Sequence, residues 1–266
     1  MHNPPHWQLE APRGHAAFVA AVGDASPGSP ATRAPRREQL VLLPGMFGDA
    51  TLWDDVAPRL VDHAATRIGR IDLDDSIGEM AESVLAAGPE KFAVAGHSLG
   101  GIVALEVVRQ APHRVTRLAL LNASARPPSE AQLASWSKAR ERIAAGEYDE
   151  VARELAREAL PDDQGADPAV AERVLGMARG FGAEALSRQL AAQAARPDSR
   201  PSLGDISVPT LVLSGANDDV CPVPLQEEAA AGIPSAEHVT VAESGHMAPL
   251  ESPEAVAGHL IAWLER

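Results

Sequence analysis

Basic residues are in short supply in this chain: 23 Lys and Arg stand against 37 Asp and Glu over 266 residues, a formal net charge of −14. A polyanion repels such a surface, which excludes a general nucleic-acid binder. The one basic cluster, Arg33, Arg36 and Arg37, is broken by Pro35, followed by Glu38 and free of interleaved aromatics, so it reads as a solvated charge run. Cysteine is nearly missing. Cys221 alone cannot close an internal disulfide, and no Cys/His spacing matches a zinc site. The expectations are a cytoplasmic, reducing location and no metal. Long apolar runs are missing as well: Ala16 to Val22 is far shorter than the roughly 20 residues a membrane helix needs, and little positive charge beyond Arg13 precedes it. No membrane span is expected, and that run reads as a short strand or part of a loose arm. The chain also lacks an internal repeat and a Walker-type glycine loop.

What the chain does have is 45% hydrophobic residues, enough for a sizeable core in one domain with an excursion. Residues 1–37 hold Pro4, Pro5, Pro12, Pro27, Pro30 and Pro35 and little periodicity, which predicts a flexible N-terminal arm. From Glu38 onward, apolar runs alternate with amphipathic stretches. Strands are predicted at Leu40 to Leu43, Arg67 to Leu73, Phe92 to Ala95 and Leu118 to Leu121. Helices are predicted at Trp53 to Leu60, Ile77 to Ala87 and Gly101 to Gln110. Residues 125–204 then show helical spacing only, with four helices marked off by Pro161, Pro168 and Pro197. The alternation resumes with a strand at Thr210 to Leu213, a helix at Leu225 to Ala231 and a strand at Glu237 to Val241. A last helix opens at Ser252-Pro253, with Val256, Leu260, Trp263 and Leu264 as its apolar stripe. This pattern predicts an α/β fold with a mostly parallel, doubly wound sheet. The core is expected over 38–124 and 205–266, interrupted by a helical cap over 125–204.

Directly between the strand at Phe92 and the next helix stands Gly96-His97-Ser98-Leu99-Gly100, a G-x-S-x-G turn. Such a turn lifts the serine hydroxyl above the carboxyl ends of the strands, and its glycines let strand and helix approach closely. The following helix points the partial positive charge of its N-terminus at the place where an oxyanion would form. A serine nucleophile needs an imidazole to take its proton and a carboxylate to orient that imidazole. Both occur after late strands on the same sheet edge: Asp218 and Asp219 after Leu213, and His246 after Val241. His97, inside the turn, reads as a packing residue, because side chains next to each other in sequence point apart.

Together, Gly96 to Gly101, Gly215 to Pro222 and Gly245 to Glu254 resemble the α/β-hydrolase superfamily, and its small capped esterase and enol-lactonase-like members in particular. The resemblance covers residues 38–266, is weakest in the cap, and implies a cap inserted after the family's sixth strand. It aligns Gly215-x-x-Asp218-x-x-x-Pro222 with the family's acid loop and so selects Asp218, leaving Asp219 to face solvent or cap the turn. After Leu121 the chain offers Asn122-Ala123-Ser124 and no carboxylate, which leaves the later strand as the source of the acid. The same resemblance implies an oxyanion hole from the backbone N–H groups of Met46 and Leu99. Here the chain departs from many members by placing Pro44, not histidine, before the glycine; backbone donors do not require that histidine.

The function implied is hydrolysis of a carboxylic ester, lactones included, through an acyl-enzyme on Ser98, His246 and Asp218, with no organic cofactor. The partner is a small-molecule ester or lactone, and the residues set no oligomeric state. The same triad could serve acyl transfer, carbon–carbon hydrolysis or perhydrolysis. A ligand receptor that keeps the fold without turnover is the alternative from another class.

Overall fold

The computed structural model describes residues 18–22, 37–161 and 167–266; the rest of the expected N-terminal arm lies outside the described residues. One sheet of seven strands runs in the order β1-β3-β2-β4-β5-β6-β7. The strands are β1 (Phe18–Val22), β2 (Glu38–Leu43), β3 (Ala64–Gly69), β4 (Phe92–His97), β5 (Val115–Leu121), β6 (Thr210–Gly215) and β7 (Ala236–Val241). Only β1, inside the stretch expected as an arm, pairs antiparallel, on the edge beside β3; all other neighbours are parallel. Parallel strands need covered faces, and the residues of β4 are buried throughout.

Alternation along each strand divides the core in two. Val41, Leu43, Val94, Leu118 and Val212 face one side. There they meet α1 (Ile77–Ala87), α2 (Leu99–Gln110) and α7 (Val223–Gly232). Leu40, Leu42, Ala95, Leu121 and Leu213 face the other, packed with Trp53 and Leu60. The last helix lies on that side too, after a single turn, α8 (Ala248–Glu251); it is α9 (Pro253–Leu264), with Val256, Leu260 and Trp263 inward. Between β5 and β6 the described residues form four α-helices: α3 (Glu130–Ala144), α4 (Tyr148–Glu158), α5 (Pro168–Phe181) and α6 (Ala183–Ala194). Ser129 and Gln132 form a capping box at the start of α3, and Pro168 opens α5 after Asp167, which accepts from the Ala169 N–H. Counted among the described strands, this insertion follows the fifth, one fewer than the family's count. Among the described residues, no helix is long and apolar enough to cross a membrane.

Two local expectations need correction. The helix expected over Trp53 to Leu60 is a pair of 3-10 turns, Ala50–Trp53 and Ala57–Leu60. The Asp49 side chain caps the first at Thr51 N–H, and Pro58 starts the second, so no continuous α-helix can run through both. The strand expected at Arg67 to Leu73 starts three residues earlier and ends four earlier, at Ala64–Gly69. Reading for large apolar residues favoured Ile71 and Leu73, but Ala64, Thr66 and Ile68 are buried beside β2, with Ala64 opposite Glu38. Beyond Gly69 the chain turns, and Arg70 folds back on Asp72 with contacts of 3.0 and 2.7 Å.

Candidate active site

Ser98 sits between β4 and α2 with φ 51° and ψ −117°, a backbone conformation that a side chain rarely tolerates. The flanking glycines make it possible. A Cβ on Gly96 would come within 2.1 Å of the Gly100 carbonyl oxygen, and one on Gly100 within 2.4 Å of the Pro44 carbonyl oxygen. The helix starts at Leu99, earlier than the expected Gly101, so its first unpaired N–H groups lie directly beside the serine. Leu99 itself is fully buried, while Met46, in the loop after β2, lines the cavity in front of Ser98.

His246, in the loop after β7, places Nε2 at 3.1 Å from Ser98 Oγ. Its Nδ1 lies 3.0 Å from each carboxylate oxygen of Asp218. A carboxylate on Nδ1 selects the tautomer whose Nε2 can accept the serine proton. Asp218 is buried and also accepts the N–H groups of Val220 and Cys221, at 3.0 and 2.8 Å. Burial by itself would push its carboxyl up. Bonds from His246, Cys221 N–H and Asn122 outweigh that and hold it below the usual carboxylate range, so it stays charged. Asp219 is exposed, and the turn is capped by Asp218 itself.

Three supporting residues escaped the sequence reading. Asn122 ends β5 at φ 52° and donates from Nδ2 to Asp218 Oδ2 at 2.8 Å and to the Gly245 carbonyl at 3.1 Å. It stands at the strand end already searched for a carboxylate; an amide there had no assigned task. Glu251 accepts the N–H of Met247 at 2.8 Å and that of Gly245, gripping both sides of His246. Gln189, on α6, accepts the Phe47 N–H at 2.8 Å and donates to the Ile71 carbonyl at 3.1 Å. The signal was present: Gln189 and Gln193 share the helical face of Leu186 and Leu190, and all four are buried. His97 packs as expected. Its Nε2 donates to the His246 carbonyl at 2.7 Å, and burial, with His246 nearby, lowers its pKa to about 3, leaving a neutral ring.

A cavity of about 960 Å³ opens over Ser98 and His246, roofed in part by Trp136 of α3 and by Arg196 just after α6. The arrangement offers a hydroxyl, a base with an oriented lone pair, a buried anion behind it and a helix N-terminus, which is the equipment for attack on a carbonyl carbon.

The alpha/beta hydrolase family model matches residues 40–259. A putative carbamate hydrolase RutD from Azorhizobium caulinodans is 31% identical over 81% of this chain and 86% of its own length. A pimeloyl-[acyl-carrier protein] methyl ester esterase from Aromatoleum aromaticum is 28% identical over 82% of this chain and 94% of its own. Among solved structures, a thermophilic esterase from Thermogutta terrifontis superposes with TM-score 0.78 at 26% identity, covering 86% of this chain and 90% of that one. The enol-lactonase from Burkholderia xenovorans LB400 superposes with TM-score 0.79 over 88% and 94%; at 20% identity it speaks for the fold alone.

Proposed function

This chain belongs to the alpha/beta hydrolase family, and from that premise we propose that it is a serine hydrolase of carboxylic esters, lactones included. The observation that carries this reading is the unbroken relay Ser98 Oγ, His246 Nε2, His246 Nδ1 and Asp218, with steps of 3.1 and 3.0 Å. In the proposed reaction His246 takes the hydroxyl proton as Ser98 Oγ bonds to the carbonyl carbon. The negative charge that moves onto the carbonyl oxygen is held by the N–H groups of Met46 and Leu99. Collapse breaks the bond to the alcohol oxygen, which leaves with the proton from His246; water, deprotonated by the same ring, then attacks the acyl-enzyme and releases the acid and free Ser98. Asp218 stays ionised and stabilises the imidazolium formed on the way.

We assign residues 125–204 as a cap. The support is that Trp136 and Leu155 from these helices line the same cavity as Ser98. The test is a panel of p-nitrophenyl esters and lactones assayed beside labelling by a serine-reactive phosphonate. Turnover, with a label on Ser98 that is absent from Ser98→Ala, is the expected result. Turnover that survives in Ser98→Ala would overturn the assignment.

A further inference from the structure

Arg196 is a buried cation. It is only 8% exposed, yet among the described residues no carboxylate lies within ion-pair distance of it. Its three hydrogen bonds all go to neutral oxygens: Nε to the Arg126 carbonyl at 3.0 Å, Nη1 to Gln193 Oε1 at 2.8 Å and Nη2 to Gln132 Oε1 at 3.2 Å. A guanidinium has five N–H donors, so one on each terminal nitrogen is left uncommitted. The guanidinium carbon lies over the Trp136 ring, 5.4 Å from its centroid. Burial lowers its pKa to about 10, which leaves the group charged at neutral pH while marking how poorly its surroundings solvate that charge.

Burying an unpaired charge is costly, and the other arginines on this cavity avoid that cost. Arg126 and Arg200 pair with Glu228, and Arg157 is exposed. The acids on the cavity do not serve Arg196 either. Asp219 and Glu158 are both exposed, and neither forms an ion pair with Arg196. Three hydrogen bonds and the Trp136 ring hold Arg196 at the wall of the cavity that contains Ser98 and His246. A rigid fork with one free donor on each tip matches the two oxygens of a carboxylate.

We propose that Arg196 is an anion-recognition site, and that the preferred substrates are esters bearing a second, ionised carboxylate, of which half-esters of dicarboxylic acids are the simplest. This deepens the ester-hydrolase reading and rests on it. Compare kcat/KM for monomethyl adipate and methyl hexanoate, which differ at the remote end. The wild-type chain is expected to favour the half-ester. In Arg196→Gln that preference should fall by ~10- to 100-fold, the usual worth of a charged hydrogen bond. Arg196→Lys, which keeps the cation and the buried stem, should retain part of it. An equal preference in wild type and variants, or loss of both substrates together in a variant that melts like the wild type, would overturn the proposal and leave Arg196 a packing residue.

A second arm needs no turnover: calorimetric titration of the intact chain with adipate, hexanoate and hexyl phosphate. Adipate binding that is weakened in Arg196→Gln supports the site even if no ester in the panel is cleaved, which would sink the hydrolase reading alone. Hexyl phosphate binding tighter than adipate would reassign the site to phosphate esters and overturn the carboxylate assignment.

Discussion

His97 and His246 lie with ring centroids 5.1 Å apart, and burial gives them different work. A ring held to about 3 is neutral above pH ~4, so His97 cannot produce a titration in the working range. Its task is mechanical: it holds the His246 carbonyl and fills the space against Gly45, where an added Cβ would meet His97 Nδ1 at 2.7 Å. His97→Asn should therefore lower kcat through misplacement yet leave the acid limb of the pH–rate profile where it is. A limb that moves or disappears would mean His97 takes part in proton transfer. Asp218 carries the opposite prediction. Its pKa is held below the ordinary 3.8, so its ionised form stabilises the fold above that value, and the stabilisation is lost as pH falls through the lower folded value. Asp218→Asn should flatten the acid side of the melting-temperature profile and cost ~10⁴-fold in kcat. Asp219→Asn should do neither, and an inactive Asp219→Asn would reverse the assignment. The hydrogen-bonded set was legible in part: Ser98 and His246 each follow an apolar strand, as do both Asp218 and Asp219, and only the resemblance of the acid loop singled out Asp218. Asn122, Glu251 and Gln189 were not legible, because each acts on the backbone or side chain of a residue that only folding brings near.

At the scale of elements, α6 is tied to the loop that carries Met46. Phe47 has φ 48°, and its N–H is held by Gln189, a residue 142 positions away. That bond and the one to Ile71 tie α6 to the Met46–Phe47 peptide, next to the N–H proposed as an oxyanion donor. Gln189→Leu removes both and leaves two buried backbone groups unpaired, at a cost of about 2 to 6 kcal/mol in stability. The informative readout is kinetic. If the loop is merely packed, kcat and KM should stay near wild type below the melting transition. If Gln189 positions the oxyanion donor, kcat should drop ~10-fold or more with KM little changed, since the donor acts in the transition state. Element boundaries followed the same division between local and distant causes. The helix at Ile77–Ala87 has the bounds read for it, and Ser76 caps its start by accepting the Glu79 N–H. The strand at Ala64–Gly69 was displaced because its pairing with β2, not its own hydrophobicity, decides where it starts.

The whole molecule derives its site from one topological fact: β2, β4, β5, β6 and β7 run parallel, so the loops after them open on a single edge. Residues far apart in sequence arrive there together, as the 148-residue separation of Ser98 and His246 shows. That much followed from the alternation of apolar runs and helices. What did not follow is how the four inserted helices relate to the sheet, since their spacing gives each helix an apolar face without naming what covers it. Trp136, Val174, Leu186 and Leu190 join the same apolar cluster as Leu42, Ala95 and Trp263, continuous from insertion to sheet. A shared core implies shared cooperativity, because unfolding the insertion alone would expose the sheet face it covers. Variants that keep a single tryptophan should reveal this. Urea unfolding followed at Trp136, within the insertion, should give the same midpoint and slope as unfolding followed at Trp263, on the last helix. A Trp136 transition at clearly lower urea would mean that the insertion melts as its own unit, and that the roof over Ser98 can open while the sheet stays folded.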